Sequence, residues 1–598
     1  MKKTRYSVKT VCLLAMCGVA LFANAQEDKK KEQDLNRQMT LEREYDPSVQ
    51  DASKVNTLPQ VKEPEVRKIP IDYSDYTLAM DPAQQISVLP SGNIMTQMDY
   101  NKRRGYLRLG AGTYMNLNGD FGYHALSTAT DQLSIAFSHR SANGNVKYIQ
   151  LPDEKVKAKI NDNLGGLKYA HTFEKASLNV GLNYGYSAYN YYGLSMSPFS
   201  SLPMQDLLNV ADRETNQVNQ TIAATLGIES KEDADLAYLV DLGFVNFSHK
   251  YGISKDTDGP KETTIEAKVN VSKRFNGDMR FGLEALVEYF NYSLPAEKAL
   301  PNGGLYICEF ENHAEVALHP YYEVEGENWK VRLGANVMLK TGDESLFMAT
   351  PNVAANFEVA DKTELYIKAN GKLYSNSMYE MSKINRYLPA EELTPSRNWL
   401  DGVLGIKSGV APGFWFDIFA GYKMTSDDVL FVPSRTFEEG GFGNFSEAMS
   451  GINTKQLFVG ASLKYSYQQL FELTLKGQYN NWKAEYGDEW IGFSDSSLEH
   501  AWGKPEMELN AGVMVRPMDK LAVALDYSLA TGRYTLLAGA DLYKMNNINE
   551  LNLTATYTLN DTFGFYAKVN NLLSQKYELY YGYPMQRLSA QVGVNINF

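Results

Sequence analysis

The chain has 598 residues, a formal charge of −13 and 12% aromatic residues, with 40 tyrosines against 26 phenylalanines and 6 tryptophans. The acidic balance excludes a nucleic-acid surface, which needs clustered basic side chains. Length alone would suggest about four soluble domains, but the patterning after residue 104 contradicts a set of separate cores.

The first 25 residues read as a secretion signal. Lys2, Lys3, Arg5 and Lys9 precede an apolar run over 11–22, and Ala23-Asn24-Ala25 offers small residues for cleavage before Gln26. Met16 is too large for the residue expected before a lipidated cysteine at Cys17. Removing a segment with four basic and no acidic residues takes the mature charge to about −17. Cys12 and Cys17 leave with the signal, so Cys308 has no intramolecular disulfide partner and reads as a small apolar strand residue. No mature stretch has the 18 or more apolar residues of a membrane helix.

Residues 26–104 read as an extended arm in the periplasm or in a lumen. Residues 27–33 are a charged run, and Pro47, Pro59, Pro64 and Pro70 oppose long helices and central strands. The arm nevertheless carries Leu41, Tyr45, Val49, Val55 and Leu58, which is too apolar for a solvated linker. Leu41, Tyr45, Pro47, Val49, Val55, Leu58 and Pro59 are the expected docking residues, against a partner or the lumen wall.

From 105 to 598 the period is two. Ile265 to Ser272, Phe471 to Tyr479, Leu521 to Leu529 and Leu551 to Leu559 alternate apolar with polar residues. The polar faces hold Lys, Glu, Asn and Thr and must be wet. The strands run roughly 11–18 residues, far beyond the five or six usual in soluble sheets. Short turns at 173–175, 276–278, 325–327, 361–362, 412–413, 517–520 and 560–561 alternate with longer links at roughly 142–160, 194–212, 253–261, 295–304, 383–396, 433–452, 487–504 and 538–546. This alternation describes periplasmic turns and extracellular loops. The expected fold is all-β: a transmembrane antiparallel β-barrel of about 22 strands (18–22) in the Gram-negative outer membrane. An even number returns the chain to the side on which it began.

The last strand reads Leu588, Ala590, Val592, Val594, Ile596 and Phe598 on one face and Arg587, Ser589, Gln591, Asn595 and Asn597 on the other. It is expected to close the sheet against the first strand near Gly105. Val592, Val594, Ile596 and Phe598 are the expected closure and assembly residues. The run from Tyr566 through Asn571, Leu572 and Tyr577 to Gly582, Pro584 and Phe598 resembles the C-terminal end of TonB-dependent receptor barrels. The resemblance implies that the final aromatic is what the barrel-insertion machinery reads. It also implies a globular plug ahead of the barrel; nothing in the arm matches one, so the expectation is a receptor-like barrel without a recognisable plug.

Chemistry-bearing constellations are sparse. On an expected strand 305–324, Glu309, Glu311, His313, Glu315 and His319 share a face, and His313 with one flanking Glu could bracket a metal; a polar lumen wall is the simpler reading. Asp256-Thr257-Asp258-Gly259 lacks the downstream acid of a calcium loop. The loop 437–445 lacks the Lys of a phosphate loop and reads as an extracellular loop. Tyr186, Tyr189, Tyr191 and Tyr192 read as a membrane-interface girdle. No catalytic, cofactor or metal site is expected, and no enzymatic activity. The leading expectation is a conduit or barrel subunit of an envelope transport or assembly complex, with lipid, the insertion machinery and other outer-membrane or periplasmic proteins as partners. The alternative is a TonB-dependent-type nutrient receptor with a reduced plug.

Overall fold

The computed structural model describes residues 103–194, 216–231, 236–252, 257–275, 277–299, 305–306, 308–342, 345–409, 411–433, 437–438, 441–442, 445–486, 500–537 and 542–598. The signal segment and the arm residues Leu41 to Pro59 lie outside them. Twenty-two antiparallel strands form one sheet, from Gly105–Gly112 to Ser589–Asn597. The sheet closes on itself. Tyr106 lies opposite Asn597 and Gly112 opposite Gln591, and each residue between finds its partner in step.

Alternation sorts the two faces. On Asn216–Ser230 the exposed large side chains are Ile222, Leu226 and Ile228; on Leu236–His249 they are Leu236, Leu242 and Phe244; on Met279–Ser293 they include Phe281 and Leu283. An apolar belt of this extent does not survive in water and matches lipid. The opposite face is polar: Arg140 pairs with Asp120 at 2.7 Å and Arg332 with Glu284 at 2.7 Å. Lipid supplies no hydrogen bonds, so closure satisfies every ladder position that an open edge would leave bare. Among the described residues no helix is long and apolar enough to cross a membrane.

Connections at one end are short: 128–130, 173–175, 326–328, 361–362, 468–470, 519–520 and 559–562. Asn560 shows how one is made, its Oδ1 accepting from the Thr562 and Phe563 amides at 2.9 Å each. At the other end most links are long, among them 375–395 and 571–588. The expected strand number and the alternation of turn lengths therefore stand, but two expected links shrink and one expected strand starts later. Strands Asp131–Lys147 and Lys155–Thr172 run through the expected 142–160 link and leave only 148–154 between them. The 433–452 link shrinks because Phe414–Pro433 and Ser446–Tyr467 continue as a paired ladder. At 22 residues, Ser446–Tyr467 runs roughly 70 Å along its length. The hydrocarbon layer is about 30 Å thick, so the ladder stands well clear of it. The expected strand at 305–324 begins only at His313.

Closure is tightest at the terminus. The Gly105 amide donates to the Phe598 carbonyl at 2.8 Å, and the Phe598 amide returns a bond to the Gly105 carbonyl at 2.9 Å. The Phe598 ring stacks on Phe121 and Tyr123 at 6.4 and 6.1 Å on the lipid face. A Cβ on residue 105 would lie 2.7 Å from that ring, so a larger residue would force the ring to shift at the seam. Val592, Val594 and Ile596 pair with Ala111, Leu109 and Leu107 along the same seam. Deleting Phe598 removes a backbone pair and a stacked ring at a site where fraying would open an edge in lipid. The expected result is a several-fold drop in heat-modifiable barrel recovered from outer membranes; an unchanged yield would contradict this role.

Candidate functional site

Three links from well-separated parts of the ring meet at the long-loop end. They follow the fifth strand (Ala176–Asn190), the thirteenth (Thr363–Tyr374) and the twenty-first (Phe563–Asn570). Strands so spaced in a ring of 22 stand on different sides of the opening, so links that touch must reach inward across it. They form a lid.

The lid core is aromatic. Tyr387 stacks on Tyr583 with ring centroids 4.0 Å apart, and Tyr192 meets both edge-on at 5.5 and 5.0 Å. Tyr189 and Tyr191 complete the cluster, and all five rings are buried. Each such pair adds about 1 kcal/mol beyond its buried area. Backbone bonds fasten the edges: the Leu194 amide donates to the Gly582 carbonyl at 3.1 Å and the Ser446 amide to the Tyr387 carbonyl at 2.9 Å. The Tyr580 hydroxyl donates to the Ile384 carbonyl at 2.8 Å.

One charged strap joins lid to wall. Arg386 reaches Asp162, on the fourth strand (Lys155–Thr172), through two bonds of 3.2 and 3.0 Å. Asp162 lies opposite Arg140 in the ladder and on the same polar face, so the strap enters the lumen. Burial disfavours the Arg386 charge, but pairing with Asp162 opposes that and holds the guanidinium above its ordinary range. Bidentate pairing suits the fork geometry of Arg and would be lost with Lys.

Local sequence explains how the lid residues are presented. Ser377 caps the helix Met378–Ile384, its hydroxyl accepting from the Glu380 amide at 3.3 Å, while Met378 and Met381 are buried. The helix ends at Asn385 and delivers Arg386 and Tyr387 inward. In the link 571–588, Asn571 is buried with φ of 49°. Its Nδ2 donates to the Gln575 and Gln586 carbonyls at 2.9 and 3.3 Å, and its Oδ1 accepts from the Gln575 amide at 2.9 Å. The Tyr577 hydroxyl donates to Glu550. Gly582 has φ of 79°, and a Cβ there would lie 2.5 Å from the Leu194 nitrogen, so the two links close only over glycine. Arg533 holds the Glu578 carbonyl at 2.7 Å and also donates to the Leu579 carbonyl.

Several expectations change here. Tyr189, Tyr191 and Tyr192 are lid core, not interface girdle; Tyr186 is half-buried and shares the parity of the lipid-exposed Tyr184. Glu309 and Glu311 are exposed and precede the strand, so they leave the acid/His row, while His319 bonds Asn336 at 2.6 Å. Cys308 is half-buried beside Phe310, Phe247 and Met378, outside any strand. Thr257 is buried, and Asp258 bridges to Tyr251 as part of a polar turn. The loop 437–445 is described in part; its Phe445 packs against Tyr191 at 6.4 Å. Arg386, Tyr387, Glu578 and Tyr583 were not singled out from sequence. The spacing of Ser377 and Glu380 is a capping-box signature that would have located the helix.

No protein-family model matches the sequence, and no curated protein matches it. Solved structures do match the fold. The FrpB iron transporter from Neisseria meningitidis superposes with a TM-score of 0.62 at 10% identity, covering 83% of this chain and 82% of that one. The ferric-catecholate import receptor Fiu from E. coli K12 gives 0.58 at 10%, covering 84% and 82%. The pyoverdine outer-membrane receptor FpvA from Pseudomonas aeruginosa gives 0.59 at 12%, covering 83% and 78%. With its lipid belt and closed seam, the chain is an outer-membrane β-barrel with the fold of TonB-dependent receptors. It resides in the Gram-negative outer membrane.

Two predictions test the lid. Replacing Arg386 with Ala leaves Asp162 facing the lumen without its partner, which costs about 3 kcal/mol for a largely buried pair. Protease cleavage within 375–395 of folded barrels should rise by roughly 100-fold; unchanged cleavage would show that the strap is idle. The second concerns pH. Burial pushes Glu578 up to about 7 from its ordinary 4.5, against the Gly582 amide that donates to its Oε2 at 3.0 Å. A folded-state value above the unfolded one means the docked link is most stable below pH 4.5 and loses stability as pH rises through 7, by up to about 3 kcal/mol. Hydrogen exchange of 571–588, corrected for intrinsic rates, should accelerate between pH 5 and 8 in the wild type and stay flat in Glu578→Gln.

Proposed function

We propose that the chain is a gated uptake receptor of the outer membrane, with a cargo-responsive lid over its barrel. The observation that carries this reading is the convergence of three links into one aromatic cluster strapped to the lumen wall by Arg386. A barrel this wide breaches the membrane if left open, and a lid held by a few weak pairs and one ion pair can be opened by a cargo that binds the open state better. The structural neighbours, an iron transporter and a ferric-catecholate import receptor, support import over the subunit reading. The segment 26–104 then serves as the coupling arm on the periplasmic side, engaging the TonB energy system.

The same arm carries the second reading. Leu41, Tyr45, Val49, Val55 and Leu58 form an apolar, proline-marked strip that suits docking to another envelope protein. A chromosomal deletion separates the two. Under the uptake reading, the deletion strain loses growth on one limiting nutrient, a chain lacking 26–100 fails to restore it, and TonB is recovered with the full chain in mild detergent. No nutrient-specific growth loss, together with a stoichiometric envelope partner lost on removal of 26–100, would replace uptake with the subunit role.

A further inference from the structure

Beneath the lid, the lumen wall holds an arrangement that neither closure nor gating requires. His313 and Glu315 are two residues apart on His313–Glu325, and only 6% and 7% of their surfaces are exposed. The His313 Nε2 and the Glu315 Oε1 lie 3.7 Å apart. Neither atom has a hydrogen-bond partner.

The other ring nitrogen fixes what Nε2 is. Nδ1 lies 2.9 Å from the Glu311 carbonyl oxygen, which can only accept, so Nδ1 carries the proton. In the neutral ring Nε2 is then a lone pair aimed at a carboxylate oxygen. Two acceptors buried face to face repel each other unless something positive sits between them. Phe290 stacks on the imidazole at 4.7 Å and keeps it from turning away.

The surroundings add to the negative field. Glu266, Glu288 and Glu315 lie directly opposite one another across three neighbouring strands. Like charges in register destabilise a sheet. Glu380 contributes a further carboxylate from the lid helix, and Lys340 and Lys372 act against it. Ser375, at the root of the lid, donates to Glu315 Oε2 at 2.8 Å and leaves Oε1 as the open donor atom.

We propose that His313 and Glu315 are the core of a binding site for a divalent transition-metal cation of the zinc type. A backbone carbonyl on Nδ1 with Nε2 left open is the arrangement that orients a metal-ligating histidine. Zinc bonds of 2.0–2.2 Å to nitrogen and oxygen at a tetrahedral angle place the donors about 3.4 Å apart, so 3.7 Å closes with a shift of a few tenths of an ångström. Among the described residues no three such side chains converge on one point. Glu288, directly across the ladder from Glu315, is the third ligand that a rotamer change brings in, and water completes the shell. The mixed nitrogen and oxygen set favours zinc or copper over magnesium or calcium. The site stands on these side chains alone and does not rest on the uptake reading.

The test uses the full chain, purified in detergent without a polyhistidine tag, stripped with chelator and titrated calorimetrically with zinc at pH 7.5. One zinc per chain is expected, with binding at least tenfold weaker in His313→Ala and in Glu315→Gln and unchanged in His500→Ala, a histidine outside the site that faces Glu506. Cobalt substitution should give visible absorption bands that the Glu315→Gln variant lacks. Glu315→Gln keeps the side-chain shape and an acceptor for Ser375, and heat-modifiable migration confirms that each variant is folded. No zinc binding would mean that a shared proton bridges the pair and would overturn the proposal. Binding that persists in both variants would place the metal elsewhere and overturn it equally.

Discussion

A backbone surrounded by lipid has no water to hydrogen-bond, and that constraint organises the molecule. It requires the sheet to close, and closure makes the first and last strands partners although the whole barrel lies between them in sequence. The strict alternation follows, because each strand separates lipid from lumen and every residue must suit one or the other. The exposed row of Ile222, Leu226 and Ile228 and the Arg140–Asp120 pair are two faces of that single requirement. The position of Phe598 follows too, since a frayed terminus in lipid would expose the groups that closure has satisfied.

Closure creates a second problem, because a ring of 22 strands encloses a wide opening. The lid answers it with a different chemistry from the wall. The wall is held by a continuous hydrogen-bonded ladder that does not come apart piecemeal. The lid is held by stacked tyrosines and a few backbone bonds, each worth little alone, together with the Arg386–Asp162 strap. A rigid frame carrying a cover of modest stability is what a gate needs, and regions that move in function come from the low-stability end of a structure. The His313–Glu315 pair lies on the wall just below, with Ser375, at the base of the lid link 375–395, donating to Glu315.

The wall was legible in the sequence and the lid was not, for a physical reason. Period-two alternation is local, so residues 265–272 declare their strand without reference to anything distant. The seam was legible because the terminal run shows the same alternation up to its final ring. Lid contacts join residues far apart in sequence: Asp162 with Arg386, Tyr192 with Tyr583, Leu194 with Gly582. No local pattern encodes them. Tyr189, Tyr191 and Tyr192 were misread because a tyrosine at a strand end looks the same from sequence whether it meets headgroups or another loop. The row around His313 was overextended because alternation of type continued through Glu309 and Glu311 after the ladder had ended. What raised His313 and Glu315 above a polar wall was the direction of one imidazole hydrogen, which sequence does not carry.

The claim that the resting barrel is closed by loops meeting across its mouth is tested most directly by a distance in the native outer membrane. Spin labels at Lys383 and Lys576, exposed positions on two of the three lid links, report it by double electron–electron resonance. A single narrow population, matching the separation in this structure, is the result the closed lid predicts. A broad distribution reaching the barrel's full width in the resting state would contradict it.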